Sequence, residues 1–183
     1  MDTQESLITP ALSWRRLLRD GSAMNGALGA LILSSLAINP EMWAQDYPPD
    51  IKQAFGPKSK TAQIQTALLT VPFFGILLGG VILSNRKLRE DNGGRLTFRH
   101  SFWHTYALFA SFWLFDLAIL DWLFLVTLQP SFVVLPGTEG MAGYKDYGFH
   151  LTAALPALPL MAIPALIVAC FMRSPKQEQS TRE

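Results

Sequence analysis

Residues 61–84 read TAQIQTALLTVPFFGILLGGVILS, a stretch that contains no charged side chain. A helix needs about 20 mainly apolar residues to cross the hydrocarbon core of a bilayer. A soluble protein would instead interleave charged and apolar residues to build half-buried helices and strands. The stretch therefore predicts a transmembrane helix and an integral membrane protein.

Three further stretches have the length and composition of membrane helices. Residues 21–38 are rich in glycine and alanine, residues 101–128 are long and aromatic, and residues 149–172 are charge-free after a histidine and contain three prolines. Only 16% of the chain is charged, whereas about 25% is usual for soluble domains. Together with residues 61–84, these stretches predict an all-α fold, a bundle of four transmembrane helices in one domain (residues 21–172), with the fourth helix broken by its prolines.

The two ends of the chain are predicted to lie outside this bundle. In residues 1–20, Thr9-Pro10-Ala11 is typical of a helix start, and the following apolar and arginine positions fall on different faces. This pattern predicts an interfacial N-terminal helix on an anionic membrane surface. An ordinary positively charged flank to the first membrane helix is the alternative. Residues 173–183 are polar and predict a disordered cytoplasmic tail.

The distribution of lysine and arginine predicts the orientation. Eleven of the fifteen lie in the N-terminal segment, in the loop after the second helix and in the tail, and four lie in the other two loops. Cytoplasmic loops near membrane helices carry the excess of positive charge. Both termini are therefore predicted to be cytoplasmic.

The composition also limits the partners. Nucleic-acid binding needs a clustered basic surface, and a net charge of +1 gives no support to it. The single cysteine, Cys170, excludes an internal disulfide and a cysteine-based metal cluster. The lipid bilayer is the partner that the sequence predicts, and the spacing of Gly75 and Gly79 predicts a helix contact face, either within the bundle or between the protomers of a homo-oligomer.

Two aspartates inside the predicted third helix are the most informative polar residues. An aspartate at the centre of a membrane helix costs roughly 2.5–3.5 kcal/mol, so such residues usually face a wet cavity or a neighbouring helix. Asp116 lies near the middle of this helix and Asp121 nearer its outer end. On an α-helix, five residues separate the two side chains by roughly 140°, which argues against a dyad that shares one proton. Asp116 has an alternative role as a packing residue, bonded to Asn25, to Ser34 or to a carbonyl freed by the prolines.

A weaker pattern suggests a metal site at the start of the fourth helix. If that helix begins at Lys145, Asp146 and His150 are one turn apart on one side. Glu139 could then supply a third ligand and Asp121 a fourth, and the oxygen and imidazole donors would suit zinc, manganese or iron. An acid that caps the helix beside an interfacial histidine explains the same residues without a metal.

The sequence leaves the cofactor unknown, and it bears on one candidate, a haem. His104 lies near the cytoplasmic end of the third helix and His150 near the outer end of the fourth. Across a hydrocarbon core of about 30 Å the two histidines cannot both ligate one haem. A bis-histidine haem held within one chain is therefore disfavoured.

The leading functional hypothesis is that the protein binds or lets through a small cation or a lipid-like ligand at an acidic site open to the outer face. The residues expected to bind ligand or carry protons are Asp116, Asp121, Glu139, Tyr144 and Trp113. An accessory or scaffold subunit without its own chemistry is the alternative, and a membrane enzyme that uses aspartate and histidine as acid and base on a lipid is a third. The sequence does not decide between enzyme and binding protein.

The second half of the chain also carries a resemblance. The runs WLFDLAILDW (113–122), LPGTEG (135–140) and YKDYGFH (144–150) resemble small bacterial multi-pass membrane proteins to which no activity is assigned. The resemblance implies a bacterial inner (plasma) membrane protein, and it implies no substrate or catalytic residue.

Overall fold

A computed structural model describes residues 13–174, and every regular element within them is helical. Four helical stretches are long and apolar enough to cross a membrane. The predicted all-helical architecture with four such helices is thus confirmed. The stretches are Trp14–Ile38, Lys60–Asp91, Phe98–Leu128 and Tyr147–Met172.

The first helix, α1 (Trp14–Ile38), begins seven residues before the predicted start at Gly21. Ser13 caps it by accepting a hydrogen bond from the Arg16 amide at 3.4 Å. The charged side chains of this first part are accommodated because Arg16 pairs with Asp20 and Asp91. The described part of the predicted interfacial segment therefore belongs to α1, while residues 1–12 and 175–183 lie outside the described residues.

Two short helices connect α1 to the second long helix. A 3-10 segment (Pro40–Asp46) is followed by α2 (Pro49–Phe55) and then by α3 (Lys60–Asp91). In the most apolar 18-residue stretch of α3, only 6% of the residues are buried. This helix therefore lies along one side of the bundle. A Cβ atom added at Gly75 or Gly79 would meet nothing within 4 Å. The Gly75–Gly79 spacing therefore makes no contact within the described bundle, and a contact between protomers stays a prediction.

The third long helix changes its geometry halfway. The α-helix α4 (Phe98–Phe115) continues without interruption as a π-helix (Asp116–Leu128). In a π-helix each amide bonds to the carbonyl five residues earlier instead of four, as the Gln129 amide does with the Phe124 carbonyl at 2.9 Å. Residues five positions apart therefore lie on the same side of this segment.

The fourth stretch is broken as its prolines predict. It consists of α5 (Tyr147–Ala154), α6 (Ala157–Leu160) and α7 (Ala162–Met172). Two aromatic side chains of α4 bond to carbonyls at the breaks: Trp113 Nε1 donates to Ala154 O at 2.9 Å and the Tyr106 hydroxyl to Leu158 O at 3.3 Å. Side-chain donors of this kind satisfy carbonyl groups where a membrane helix is interrupted.

Two hydrophobic cores stabilise the bundle, one near each end. The first lies among the long helices and includes Leu28, Val81 and Leu108. The second joins the C-terminal part of α1 to the π-helix and to the two connecting segments, residues 39–59 and 129–146. Its buried members include Tyr47, Ile51, Val133, Leu135 and Tyr144. These segments are therefore part of the folded structure, and they enclose the end of the bundle opposite the 92–97 turn.

A buried polar cluster joins α1, α3 and α4 in the other half. The Ser84 hydroxyl donates to Asp20 at 2.7 Å and lies 2.7 Å from Nε2 of the fully buried His104. One residue along, Asn85 Nδ2 donates to the Thr105 hydroxyl at 2.9 Å. These bonds stabilise the contact, because a buried polar group left unpaired costs about 1–3 kcal/mol; within residues 13–174, Nδ1 of His104 is buried without a hydrogen-bond partner. The cluster thus fixes the register of the three helices.

The close packing of α1 against α4 leads to a first prediction. A Cβ atom added at Gly29 would lie 2.8 Å from the Phe115 ring, whereas one at Gly26 would meet nothing within 4 Å. We expect Gly29→Val to lower the free energy of unfolding by about 1–3 kcal/mol, as overpacking does. Gly26→Val carries the same change of helix propensity in the same helix and serves as the control. Thermal unfolding in detergent measures both, and equal midpoints for the two variants would contradict the packing.

Candidate functional site

A cavity of about 440 Å³ lies at the end of the bundle that contains the second core. It is bounded by the C-terminal part of α1, the 3-10 segment, α2, the π-helix and α5. We call it the acidic cavity because three carboxylates line it, alongside one lysine and one histidine. These residues are Asp46, Asp116, Asp121, Lys52 and His150.

The π-helix brings two of the three carboxylates together. Asp116 and Asp121 are five residues apart, which is the hydrogen-bond spacing of a π-helix and a little more than one of its turns, and both line the acidic cavity. The separation of roughly 140° expected from α-helical geometry is therefore wrong. No residue pattern distinguishes the π-helix from an α-helix here, since the segment is apolar except for these two acids and Thr127.

The carboxylates differ in their partners. Asp121 Oδ2 lies 3.3 Å from Nδ1 of the buried His150. Within residues 13–174, the Asp116 carboxylate makes no hydrogen bond and no ion pair. Asn25 Nδ2 donates instead to the Ser111 carbonyl at 3.2 Å. The Asn25 and freed-carbonyl bonds considered for Asp116 as a packing residue are thus not formed.

Asp46 is a cavity residue that the sequence did not reveal. It ends the 3-10 segment, some seventy residues before the π-helix. Burial raises the pKa of Asp46; the nearby Lys58 and Lys52 act against this rise, and Asp121 adds to it. In the sequence, Asp46 lies between Trp43 and Tyr47 in a proline-rich loop. This pattern predicts an ordered loop, but it does not predict a binding site.

Aromatic and aliphatic side chains form the rest of the wall. The rings of Trp43, Tyr47 and Phe149 line the cavity. Trp43 is held by a hydrogen bond from Nε1 to the Ser35 hydroxyl at 2.9 Å, and Tyr47 by one from its hydroxyl to the Val133 carbonyl at 2.5 Å. The aliphatic part comes from Ile32, Leu36, Leu120, Leu125, Ala153 and Ala154.

Three residues expected at the ligand site lie elsewhere. Trp113 bonds to the Ala154 carbonyl beside the helix break, and the Tyr144 hydroxyl accepts from the Leu135 amide at 2.8 Å within the second core. Glu139 is exposed in its loop, where hydrogen bonds from its own amide and that of Gly137 lower the pKa of its carboxyl group. Of the five predicted ligand or proton-carrying residues, Asp116 and Asp121 line the acidic cavity.

The proposed metal ligands are not brought together. Because α5 begins at Tyr147 and not at Lys145, Asp146 lies ahead of the helix and caps it by accepting from the Phe149 amide at 2.9 Å. Of the four candidates, His150 and Asp121 are in contact, at 3.3 Å. Within residues 13–174, no three histidine, cysteine, aspartate or glutamate side chains are grouped as metal ligands.

No protein-family model matches this sequence, and no curated protein or solved structure shows significant similarity to it. The resemblance to small bacterial membrane proteins therefore stays a prediction. The chemistry of the acidic cavity is the basis on which a function can be assigned.

Proposed function

We propose that the protein spans the membrane four times and binds a small organic cation in the acidic cavity. The observation that supports this most directly is that Asp46, Asp116 and Asp121 line one cavity together with three aromatic rings. A volume of about 440 Å³ falls within the range of about 300–1,000 Å³ typical of small-molecule sites.

The wall favours an organic cation over a metal ion. Carboxylates attract positive charge, and aromatic rings bind substituted ammonium groups through cation–π contacts. The Phe149 ring already makes such a contact with the Lys52 ammonium, 5.9 Å from its centroid, and the partly exposed Trp43 is the ring of the wall that would contact a ligand. A metal ion would need several ligand atoms at close range, and no such group occurs among the described residues. Aliphatic side chains such as Ile32 and Leu125 would contact the apolar part of the ligand.

The charge distribution supports binding from the outer face. The cavity lies at the end formed by residues 39–59 and 129–146, and these loops hold only a few of the lysines and arginines. The arginine-rich turn between α3 and α4 lies at the opposite end. Since positive loops stay in the cytoplasm, the acidic cavity would open away from it.

A scaffold role explains the cavity less well. If the intramembrane acids served packing alone, each would be bonded to a neighbouring helix, as Ser84 and Asn85 are to α4. Asp116 has no such bond within residues 13–174. A carboxylate in a membrane helix that contributes nothing to packing is best explained by a ligand or a proton.

The experiment compares a cation with its uncharged carbon isostere. Benzyltrimethylammonium and neopentylbenzene have the same shape, and only the first is charged. We expect benzyltrimethylammonium to raise the thermal unfolding midpoint of the detergent-purified protein, because a ligand that binds only the folded state stabilises it. Neopentylbenzene should leave the midpoint unchanged. Equal shifts with both compounds, or no shift with either, would contradict the proposal.

A further inference from the structure

The partners of the three carboxylates in the acidic cavity are unequal. Asp121 is paired with His150 at 3.3 Å. Asp46 is close enough to Lys58 and Lys52 for both cations to act on it. Asp116 makes no ion pair within the described residues. Among the described residues, Asp116 is therefore the one carboxylate of the three that neither pairs with His150 nor has a lysine or arginine acting on it.

The surroundings of Asp116 make a negative charge on its carboxyl group unfavourable. The ionisable groups that act on it are Asp121 on its own helix, Asp46 at the end of the 3-10 segment and His150 of α5. Two of these are carboxylates, and the only histidine among them is already paired with Asp121. An isolated charge in an apolar setting is strongly unfavourable, so such a group is neutralised by a proton or by a cation.

We infer that the acidic cavity exchanges one proton on Asp116 for one monovalent organic cation. The inference rests on the proposed function and specifies how the site is regulated. In the unliganded protein, the Asp116 carboxyl group keeps its proton. When the cation enters, the O–H bond of this carboxyl group breaks, the proton leaves to solvent, and the carboxylate pairs with the cation. Charge is conserved, because one positive charge enters and one leaves.

The exchange predicts how binding depends on pH. The liganded state holds one proton fewer than the free state, so a rising pH favours binding. Where Asp116 is protonated in the free protein, the apparent affinity should rise about tenfold per pH unit. Benzyltrimethylammonium is a suitable probe since it has no proton of its own to lose.

Two measurements test the exchange on the full-length protein. A pH-indicator dye in weak buffer should report about one proton released per benzyltrimethylammonium bound, because Asp116 is the group that gives up a proton. In infrared difference spectra, the carboxylic-acid C=O band should disappear on binding, and the unliganded Asp116→Asn variant should lack this band. Asp146→Asn, whose side chain caps α5 outside the cavity, should retain both the band and the proton release.

The outcomes separate the two proposals. Absence of benzyltrimethylammonium binding would contradict the proposed function itself. Binding without proton release would overturn the exchange and leave cation binding intact. A carboxylic-acid band that persists unchanged in folded Asp116→Asn protein would likewise overturn the assignment of the proton to Asp116.

Discussion

Replacing Asp116 by asparagine is expected to weaken the binding of benzyltrimethylammonium about 100-fold or more while the protein remains folded. The substitution removes the carboxylate of the acidic cavity that, among the described residues, neither pairs with His150 nor has a lysine or arginine acting on it. Loss of about 3 kcal/mol of attraction at a partly buried site corresponds to this factor. Because the side chain makes no bond that the fold depends on, the unfolding midpoint without ligand should not fall.

Equilibrium dialysis against labelled benzyltrimethylammonium and thermal unfolding measure the two quantities on the same preparation. Asp146→Asn is the matched control, since it makes the same chemical change at the same end of the bundle. Asparagine caps helices as well as aspartate does, so α5 should be unaffected. Parallel loss of stability and binding in Asp116→Asn would favour a packing role, and unchanged binding would exclude Asp116 from the site.

The second large effect concerns the opposite end of the bundle. Arg16 is 8% exposed and pairs with both Asp20 and Asp91. Arg16→Met should lower the free energy of unfolding by about 2 kcal/mol, because it removes the charge-assisted hydrogen bonds of a buried guanidinium to Asp20 and Asp91. Asp20 keeps its contact with Arg19 at 2.9 Å. Arg15→Met removes the same charge from an exposed neighbour, and its effect should stay within about 0.5 kcal/mol.

Chemical or thermal unfolding of the two arginine variants side by side gives the answer. Arg16→Lys adds a further comparison, since lysine keeps the charge but loses the forked geometry that contacts two carboxylates. We expect its stability to lie between those of the parent protein and Arg16→Met. If Arg15→Met and Arg16→Met were equally stable, the contacts of Arg16 with Asp20 and Asp91 would contribute nothing to folding.

The sequence predicts the four helices well because length and hydropathy depend on residues that are adjacent in the chain. The break in the fourth helix could also be predicted, since Pro156, Pro159 and Pro164 each remove a helix hydrogen bond whatever their surroundings. The start of α1 was missed because Arg16 and Asp20 look like the end of a membrane helix. Only the fold shows that they are paired, in part with Asp91 from another helix.

The acidic cavity was predicted in part. Asp116 and Asp121 stood out because acids are rare in membrane helices. That both line the same cavity could not be predicted, since this depends on a π-helix that the sequence does not indicate. Asp46 and Trp43 come from a loop far away in the chain, and such long-range proximity is set by tertiary packing. Glu139 and Tyr144 were expected at the site from their loop alone, where local hydrogen bonds engage them instead.

The place at which α4 becomes a π-helix has an electrical consequence in the proposed orientation. With the predicted span 101–128 centred in a hydrocarbon core of about 30 Å, Asp116 lies about 2 Å beyond the midplane on the outer side. A cation arriving from the outer face would therefore cross somewhat less than half of the membrane voltage before it reaches this carboxylate. A full crossing is worth about 2.3 kcal/mol per 100 mV, so 100 mV would change the affinity about fivefold.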